Sequence, residues 1–465
     1  MARTKQLRQE ENRLADLMNI GVLTTQFPID QVKAILQQTG RSSKRIRDLP
    51  AHALVYYVIA LGLFRTVNTQ EVLRVLLEGL NAIGHVARKR SKRSKEPDKP
   101  PRKTAGAPAI SQARKRLGVK PLKQLYDQVV QPVATRKTEG AFYRNWLVVA
   151  MDGFTLEVPD TAANRAEFSR PESPSGGESA YPRIRGVGLV EVGTHVLFGA
   201  AVDSYAVGEI TIAREVVPRL RKGMLCLADR YFPGYPLWKQ ATQTGAELVW
   251  RVRQNVGFDT EQQLPDGSWL GRFRPGRKKK GEPAEEPIPV RVIEYRVTGK
   301  PETIRLVTSI LDWRAAPAQE LAELYHERWE FETALDEFKT HLRGARTVLR
   351  SQTPELVRQE VYGILLAHFA LRGLMHQAAL RGGRDPDRIS FTHTVNVVRR
   401  TLPRFADISP SEVEARSRGR ARRDPGGRRR PAPAPDGETR SEAEAEPLPG
   451  PTKVTEVASR VSAAH

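Results

Sequence analysis

Within YHERWEFETALDEFK (325–339) a single carboxylate, Glu332, is spaced among three side chains that seek phosphate: Tyr325, Arg328 and Lys339. At about 100° per residue the four positions fall at roughly 0°, 300°, 340° and 320°, which predicts that they share one face of a helix. Leu324, Phe331, Leu335, Phe338 and Leu342 gather at roughly 220° to 280°, so an apolar stripe beside that row would seat it at the edge of a core. Taken alone, the segment reads as an ordinary amphipathic helix. A carboxylate ringed by Tyr, Arg and Lys is also what a site gripping a polyanion beside a metal ion requires.

Two further acids suit the second reading. Asp152 closes the apolar run LVVAM before Gly153, and Asp229 closes MLCLA before Arg230. Each is expected where a buried strand gives out into a loop, the position at which open α/β sheets bind ligands. Asp also starts turns after strands, and either residue alone would be read that way. Together with Glu332 they have a chemical reason to coexist. Mg²⁺ or Mn²⁺ takes oxygen ligands, and two such ions about 4 Å apart stabilise both the attacking and the leaving oxygen of an in-line phosphoryl displacement. Three carboxylates would offset most of that positive charge, while Tyr325, Arg328 and Lys339 held flanking phosphates in register.

These residues need a scaffold, and the sequence supplies one in segments. Residues 1–87 read as a helical domain, with LPAHALVYYVIALGLF as a buried helix and TQEVLRVLLEGL as an amphipathic one capped by Asn68 or Thr69. A basic linker is expected over 88–108, where KRSKRSKEPDKPPRK holds almost no apolar residue. From 109 to 405 short Val-, Leu- and Ile-rich runs alternate with helical patterns, a mixed α/β domain with a β-rich insertion over about 240–312. Residues 406–465, rich in Arg, Pro and Glu, read as a disordered tail.

Composition restricts the partner. The chain has 465 residues, 75 Lys and Arg against 53 Asp and Glu, and a formal net charge of +22. That excess points to a polyanion, most simply nucleic acid, although a basic ribosomal or membrane-surface protein would share it. Cys226 is the only cysteine, which excludes an intramolecular disulfide and a cysteine-built zinc site. No Gly-rich phosphate loop with a following Lys and Ser/Thr is present, and the nine His residues lack zinc-site spacing. MARTKQLRQEENRL lacks the apolar core of a signal peptide, and the longest apolar run, Leu54 to Phe64, is too short to span a bilayer. A cytoplasmic, nucleoid-associated protein without a membrane or small-molecule partner is expected.

The combination of AMDG, LADRYF and YHERWEFETALDEFK resembles the bacterial insertion-sequence transposases of the DDE superfamily. It is similar to the insertion sequence four family, whose signature is Tyr, two residues, Arg, three residues, Glu, six residues, Lys; Tyr325, Arg328, Glu332 and Lys339 meet that spacing without a gap. The resemblance runs from about Asn12 to Phe405. It implies a ribonuclease-H-like catalytic fold with a β insertion between the second Asp and the Glu. By the same resemblance Asp152, Asp229 and Glu332 would be the catalytic metal ligands, and Tyr325, Arg328 and Lys339 the DNA grips around them, with Arg230 near the DNA backbone. Family members often carry Gly after that Arg, where this chain has Tyr231. In some relatives an aromatic residue of the insertion stacks on a flipped base, for which Trp250 and Trp269 are the candidates here.

The implied activity is cleavage at the ends of a mobile element and joining of the freed 3′ hydroxyl to target DNA, with two Mg²⁺ or Mn²⁺ ions and a dimer on double-stranded DNA. Two other readings remain open at this level: a metal-dependent nuclease or resolvase on the same fold, and a non-catalytic DNA-binding protein derived from a transposase.

Overall fold

The computed structural model describes residues 23–43, 49–65, 67–82, 105–172, 177, 179–276, 285–297, 302–338, 348–400 and 454–457. The basic linker expected over 88–108 lies almost wholly outside these, as do Lys339, Leu342 and most of the C-terminal tail.

The described residues before Phe142 carry helices and no strand: α1 (Ile29–Gln38), α2 (Ala51–Leu63), α3 (Thr69–Ala82), α4 (Ala107–Leu117) and α5 (Lys120–Val129). Asn68 caps α3, its Oδ1 accepting from the Gln70 N–H at 2.9 Å. Helix α2 is buried on nearly every side. Its main partner is the long helix α11 (Pro354–Gly382), and small residues set how closely the two approach. A Cβ on Gly363 would come within 2.5 Å of the Val58 carbonyl oxygen, and one on Gly62 within 3.1 Å of Ala367.

Polar groups inside this contact are matched. Glu360 of α11 pairs with Arg65 and accepts from the Arg350 and Ser351 N–H groups at 3.1 and 2.9 Å. Arg114 of α4 donates to Gln359 Oε1 at 2.7 Å and to the Leu356 carbonyl at 3.1 Å. Gln359 in turn donates to the Gly118 carbonyl at 2.8 Å. Leaving any of these buried groups unpaired would cost about 1–3 kcal/mol, so the N-terminal helices are held to α11 in one register.

The centre is a single mixed sheet. After β1 (Phe142–Tyr143), β2 (Trp146–Glu157) pairs antiparallel with β3 (Arg183–Glu191), and β3 with β4 (Val196–Ser204). On its other side β2 pairs in parallel with β5 (Met224–Ala228), and β5 in parallel with β6 (Glu247–Val252). Helices α6 (Ala162–Phe168), α7 (Glu209–Val216) and α8 (Tyr235–Thr242) fill the connections. An antiparallel run then extends the sheet through β10 (Thr303–Thr308), β9 (Ile288–Val297), β8 (Trp269–Phe273) and β7 (Gln262–Gln263), with β10 against β6.

The order β4-β3-β2-β5-β6, antiparallel on one side of β2 and parallel on the other, is the mixed α/β arrangement of a ribonuclease-H-like sheet. Beyond the sheet come α9 (Ala318–Tyr325), α10 (Trp329–Asp336), α11 and α12 (Phe391–Arg400). Within the tail read as disordered, Val454–Val457 instead form β11 on the edge of β9, with Val457 opposite Tyr295. Its β-branched residues suit an extended strand, and β8 pairs only with residues 288–292 of β9, which leaves the rest of that edge open. No helix among the described residues is long and apolar enough to cross a membrane.

Candidate active site

Asp152 does not end its strand. β2 runs on to Glu157, and the change at Asp152 lies in its neighbour: the parallel pairing with β5 stops at Met151 opposite Ala228, while pairing with β3 continues. Asp229 is the first residue past β5, so the two Asp residues follow a matched pair on adjacent parallel strands about 4.8 Å apart. Asp229 Oδ1 accepts from the Tyr231 N–H at 2.8 Å, which fixes the turn leaving β5.

Gly153 leaves room beside β2. A Cβ there would lie 2.8 Å from the carboxylate of Glu209, the first residue of α7. The absent side chain lets a helix approach one face of β2 while Asp152 and Phe154 project from the other. Phe154 meets Phe338 edge to face with ring centres 5.7 Å apart, and so carries the segment after the Tyr–Arg–Glu signature onto the strand beside Asp152.

The signature is not one uninterrupted α-helix. α9 stops at Tyr325, a 3₁₀ turn spans His326–Arg328, and α10 begins at Trp329. The single-face reading fails for that reason. Tyr325 is buried, its hydroxyl donating to the Ala228 carbonyl at 3.4 Å, whereas the Glu332 side chain is 50 % exposed. The turn carries Arg328 inward, where Nη1 donates to Asp152 Oδ2 at 2.6 Å while Nη2 stands 3.9 Å from Glu332 Oε1. Leu335 and Phe338 are buried as the apolar stripe required.

Electrostatics make this a strained meeting of charges. Burial pushes the Asp152 carboxyl up to about 6; Arg328 and the Gly153 N–H oppose that rise, and Asp229 and Glu209 add to it. Burial likewise raises the Tyr325 phenol to about 12, against the pull of Arg328 and Arg251. For Arg328 burial acts downward, but Tyr325, Asp152, Asp229 and Glu332 outweigh it and hold the guanidinium firmly charged.

The donor set suits a hard divalent cation: carboxylate oxygens on neighbouring strands, one of them desolvated and set against like charge that a cation would relieve. Among the described residues no group of three or more His, Cys, Asp or Glu side chains is drawn together to hold a metal ion. Asp152 and Asp229 are side by side, and Arg328 stands between Asp152 and Glu332.

Two tryptophans expected as base-stacking candidates are unsuited to it. Trp250 and Trp269 are 0 % and 1 % exposed, and Trp250 packs at right angles to Trp238 with centres 5.1 Å apart. Arg230 is at the surface, with Nη1 3.6 Å from Glu302. Arg251, absent from the expected set, lies beside Asp229 because Ala228 and Trp250 are register partners. Its signal was the alternation Trp250-Arg251-Val252-Arg253, which buries Trp250 and Val252 and turns both arginines to the opposite face.

Two family models match the chain in series. The N-terminal model of the insertion element 4 transposase covers residues 17–127, and the transposase DDE domain model covers residues 147–370. The chain belongs to the insertion element 4 family of DDE transposases. The transposase InsG for insertion sequence element IS4 of Escherichia coli (strain K12) is 26% identical over 388 residues, 82% of this chain and 83% of that one. The piggyBac transposase synaptic complex with hairpin DNA aligns with 86% of this chain and 84% of that one at 11% identity and a TM-score of 0.40, a likeness too distant to build on. In this transposase the DDE match takes in Asp152, Asp229 and Glu332 alike.

Proposed function

We infer that this DDE transposase cuts the ends of an insertion sequence and joins the freed 3′ ends to target DNA, with Asp152, Asp229 and Glu332 as its catalytic carboxylates. The observation that carries the reading is the convergence of two Asp residues on adjacent parallel strands with Arg328 of the signature, hydrogen-bonded to Asp152 at 2.6 Å. Segments far apart in the chain thus bring a cation and two carboxylates to one end of the parallel strands.

Asp152, Asp229 and Glu332 would hold Mg²⁺ or Mn²⁺, with α10 presenting Glu332 at the surface beside Arg328. Such ions, when bound, would supply Lewis-acid stabilisation of the charge that develops during phosphoryl transfer. The protein side chains do the positioning. Tyr325, Arg328, Lys339 and Arg230 grip phosphates on either side of the scissile bond, so that water and then the 3′ hydroxyl is aligned opposite the leaving oxygen. The net charge of +22 supports a double-stranded DNA partner, and recombination at two ends calls for a dimer on DNA in the nucleoid.

The same reading takes residues 1–87 as a helical domain, 88–108 as a basic linker and 109–405 as the ribonuclease-H-like domain. It also takes about 240–312 as a β insertion, a reading that the antiparallel run following β6 supports.

The test is incubation of the purified protein with DNA carrying the element's own ends, a target plasmid and Mg²⁺ or Mn²⁺. Joined products are expected; cleavage without joining would make the protein a nuclease, and binding without either would make it a DNA-binding derivative.

A further inference from the structure

The turn LPDGSW (264–269) between β7 and β8 has its partner far along the chain. Gly267 takes a φ of +82°, and the Leu264 N–H donates to the Ser268 carbonyl at 2.8 Å, so the turn is tight and Asp266 stands in its middle. Asp266 Oδ2 accepts from the Ala318 N–H at 2.9 Å. Ala318 opens α9, and the residue before it is Pro317, whose side chain offers no acceptor for the first free N–H groups of the helix. The antiparallel run beyond β6 therefore supplies the cap that α9 lacks.

Arg291 of β9, 0 % exposed, completes the contact. It donates to Asp266 Oδ2 at 2.7 Å, to Ser268 Oγ at 2.8 Å and to the Ala316 carbonyl, just ahead of α9, at 2.7 Å. A planar guanidinium matched at all three nitrogens holds the start of α9 in one place against the sheet. Four residues on, on the same side of β9, Tyr295 meets His326 edge to face with ring centres 6.0 Å apart. Four residues of strand and the eight of α9 both span about 12–14 Å. β9 thus grips α9 near both ends. At the far end Tyr325 reaches the Ala228 carbonyl beside Asp229, and Arg328 follows within one turn to meet Asp152.

We propose that Asp266 and Arg291 are positioning residues for phosphoryl transfer: by fixing where α9 begins, they set where Tyr325 and Arg328 arrive at the two Asp residues and where Glu332 follows. The inference rests on the DNA-joining reading given above, and adds to it a role for a buried ion pair outside the site.

The test is single-turnover joining with Mg²⁺ on DNA carrying the element's ends, with the end concentration varied so that the maximal rate and the half-saturating concentration separate. Asp266→Ala should lower the maximal rate on the order of 10- to 100-fold, the effect of misplacing a reacting group by about 1 Å, and leave half-saturation within about twofold. Asp266→Asn keeps an oxygen for the Ala318 N–H but loses the charge opposite Arg291, and should be slowed only several-fold. Gly363→Ala, strained where α11 crosses α2, is the control for lost stability and should keep the wild-type rate. A wild-type rate in Asp266→Ala, or in Asp266→Asn if Asp266→Ala does not fold, would overturn the positioning role, as would an equal loss in Gly363→Ala. A weaker half-saturation at an unchanged maximal rate would make the effect one of DNA binding and overturn it too. Wild-type protein that binds the ends and joins none would overturn the joining reading and this inference with it.

Discussion

Arg328 donates from Nη1 to Oδ2 of Asp152 at 2.6 Å, tying the signature segment to the central strand of the sheet. The contact places a fixed cation on the carboxylate proposed to bind a mobile one. The two compete for the same oxygen, since Asp152 is mostly buried and set against Asp229.

Arg328→Ala should therefore bind Mn²⁺ more tightly than the wild type when DNA is absent, by about tenfold if the lost contact has the strength of an ordinary charged hydrogen bond. Titration followed by Mn²⁺ paramagnetic resonance measures it. Weaker binding in the variant would mean that Arg328 orients Asp152 for the metal instead of competing with it.

Gly153→Ala should destabilise the protein by about 1–3 kcal/mol, because the new Cβ would meet the Glu209 carboxylate at 2.8 Å. The neighbour is the end of a flexible side chain, so Gly153→Ala with Glu209→Ala should regain most of the loss. Thermal unfolding of the two variants decides it; an equal loss in both would place the strain in the backbone.

Gly363→Ala has no such escape. Its Cβ would lie 2.5 Å from the Val58 carbonyl oxygen, and backbone must shift where α11 crosses α2. A loss of about 1–3 kcal/mol is expected in denaturant unfolding. A neutral result would show that the two helices separate freely.

The signature segment also ends in a buried anchor. Glu337 accepts from Arg372 Nε at 2.8 Å and has His195 and His368 within 3.6 and 3.7 Å. Burial alone would raise its carboxyl, but the two histidines and Arg372 overcome that and hold it far below the ordinary carboxylate range. A depressed carboxyl adds stability above its unfolded value, about 4.5, and loses it as the pH falls towards the folded value. Glu337→Gln should cost about 3–5 kcal/mol near neutrality by stranding Arg372, and the gap from the wild type should narrow below pH 4.5. A gap independent of pH would assign the loss to packing.

Much of this site was legible in the sequence for local reasons. Asp152 and Asp229 each follow an apolar run, and the signature is a fixed spacing, so neighbours in the chain were enough to single them out. What escaped depended on partners far away. β2 continues past Asp152 because β3 still pairs with it, and nothing near Asp152 encodes that. The 3₁₀ turn at His326–Arg328 replaces a smooth helix where Tyr325 is drawn to the Ala228 carbonyl and Arg328 to Asp152, contacts that override local propensity. Trp250 and Arg251 show a signal that was present: period-two alternation assigns the Trp to the core and the Arg to the site.

Glu332 is assigned to act with Asp152 and Asp229 in phosphoryl transfer although its side chain is half exposed and Arg328 stands between it and Asp152. The most direct measurement compares strand joining by the wild type and by Glu332→Gln on DNA carrying the element's ends, with DNA binding recorded in parallel. Joined products should disappear in the variant while binding to the ends is retained; full joining by Glu332→Gln would contradict the assignment.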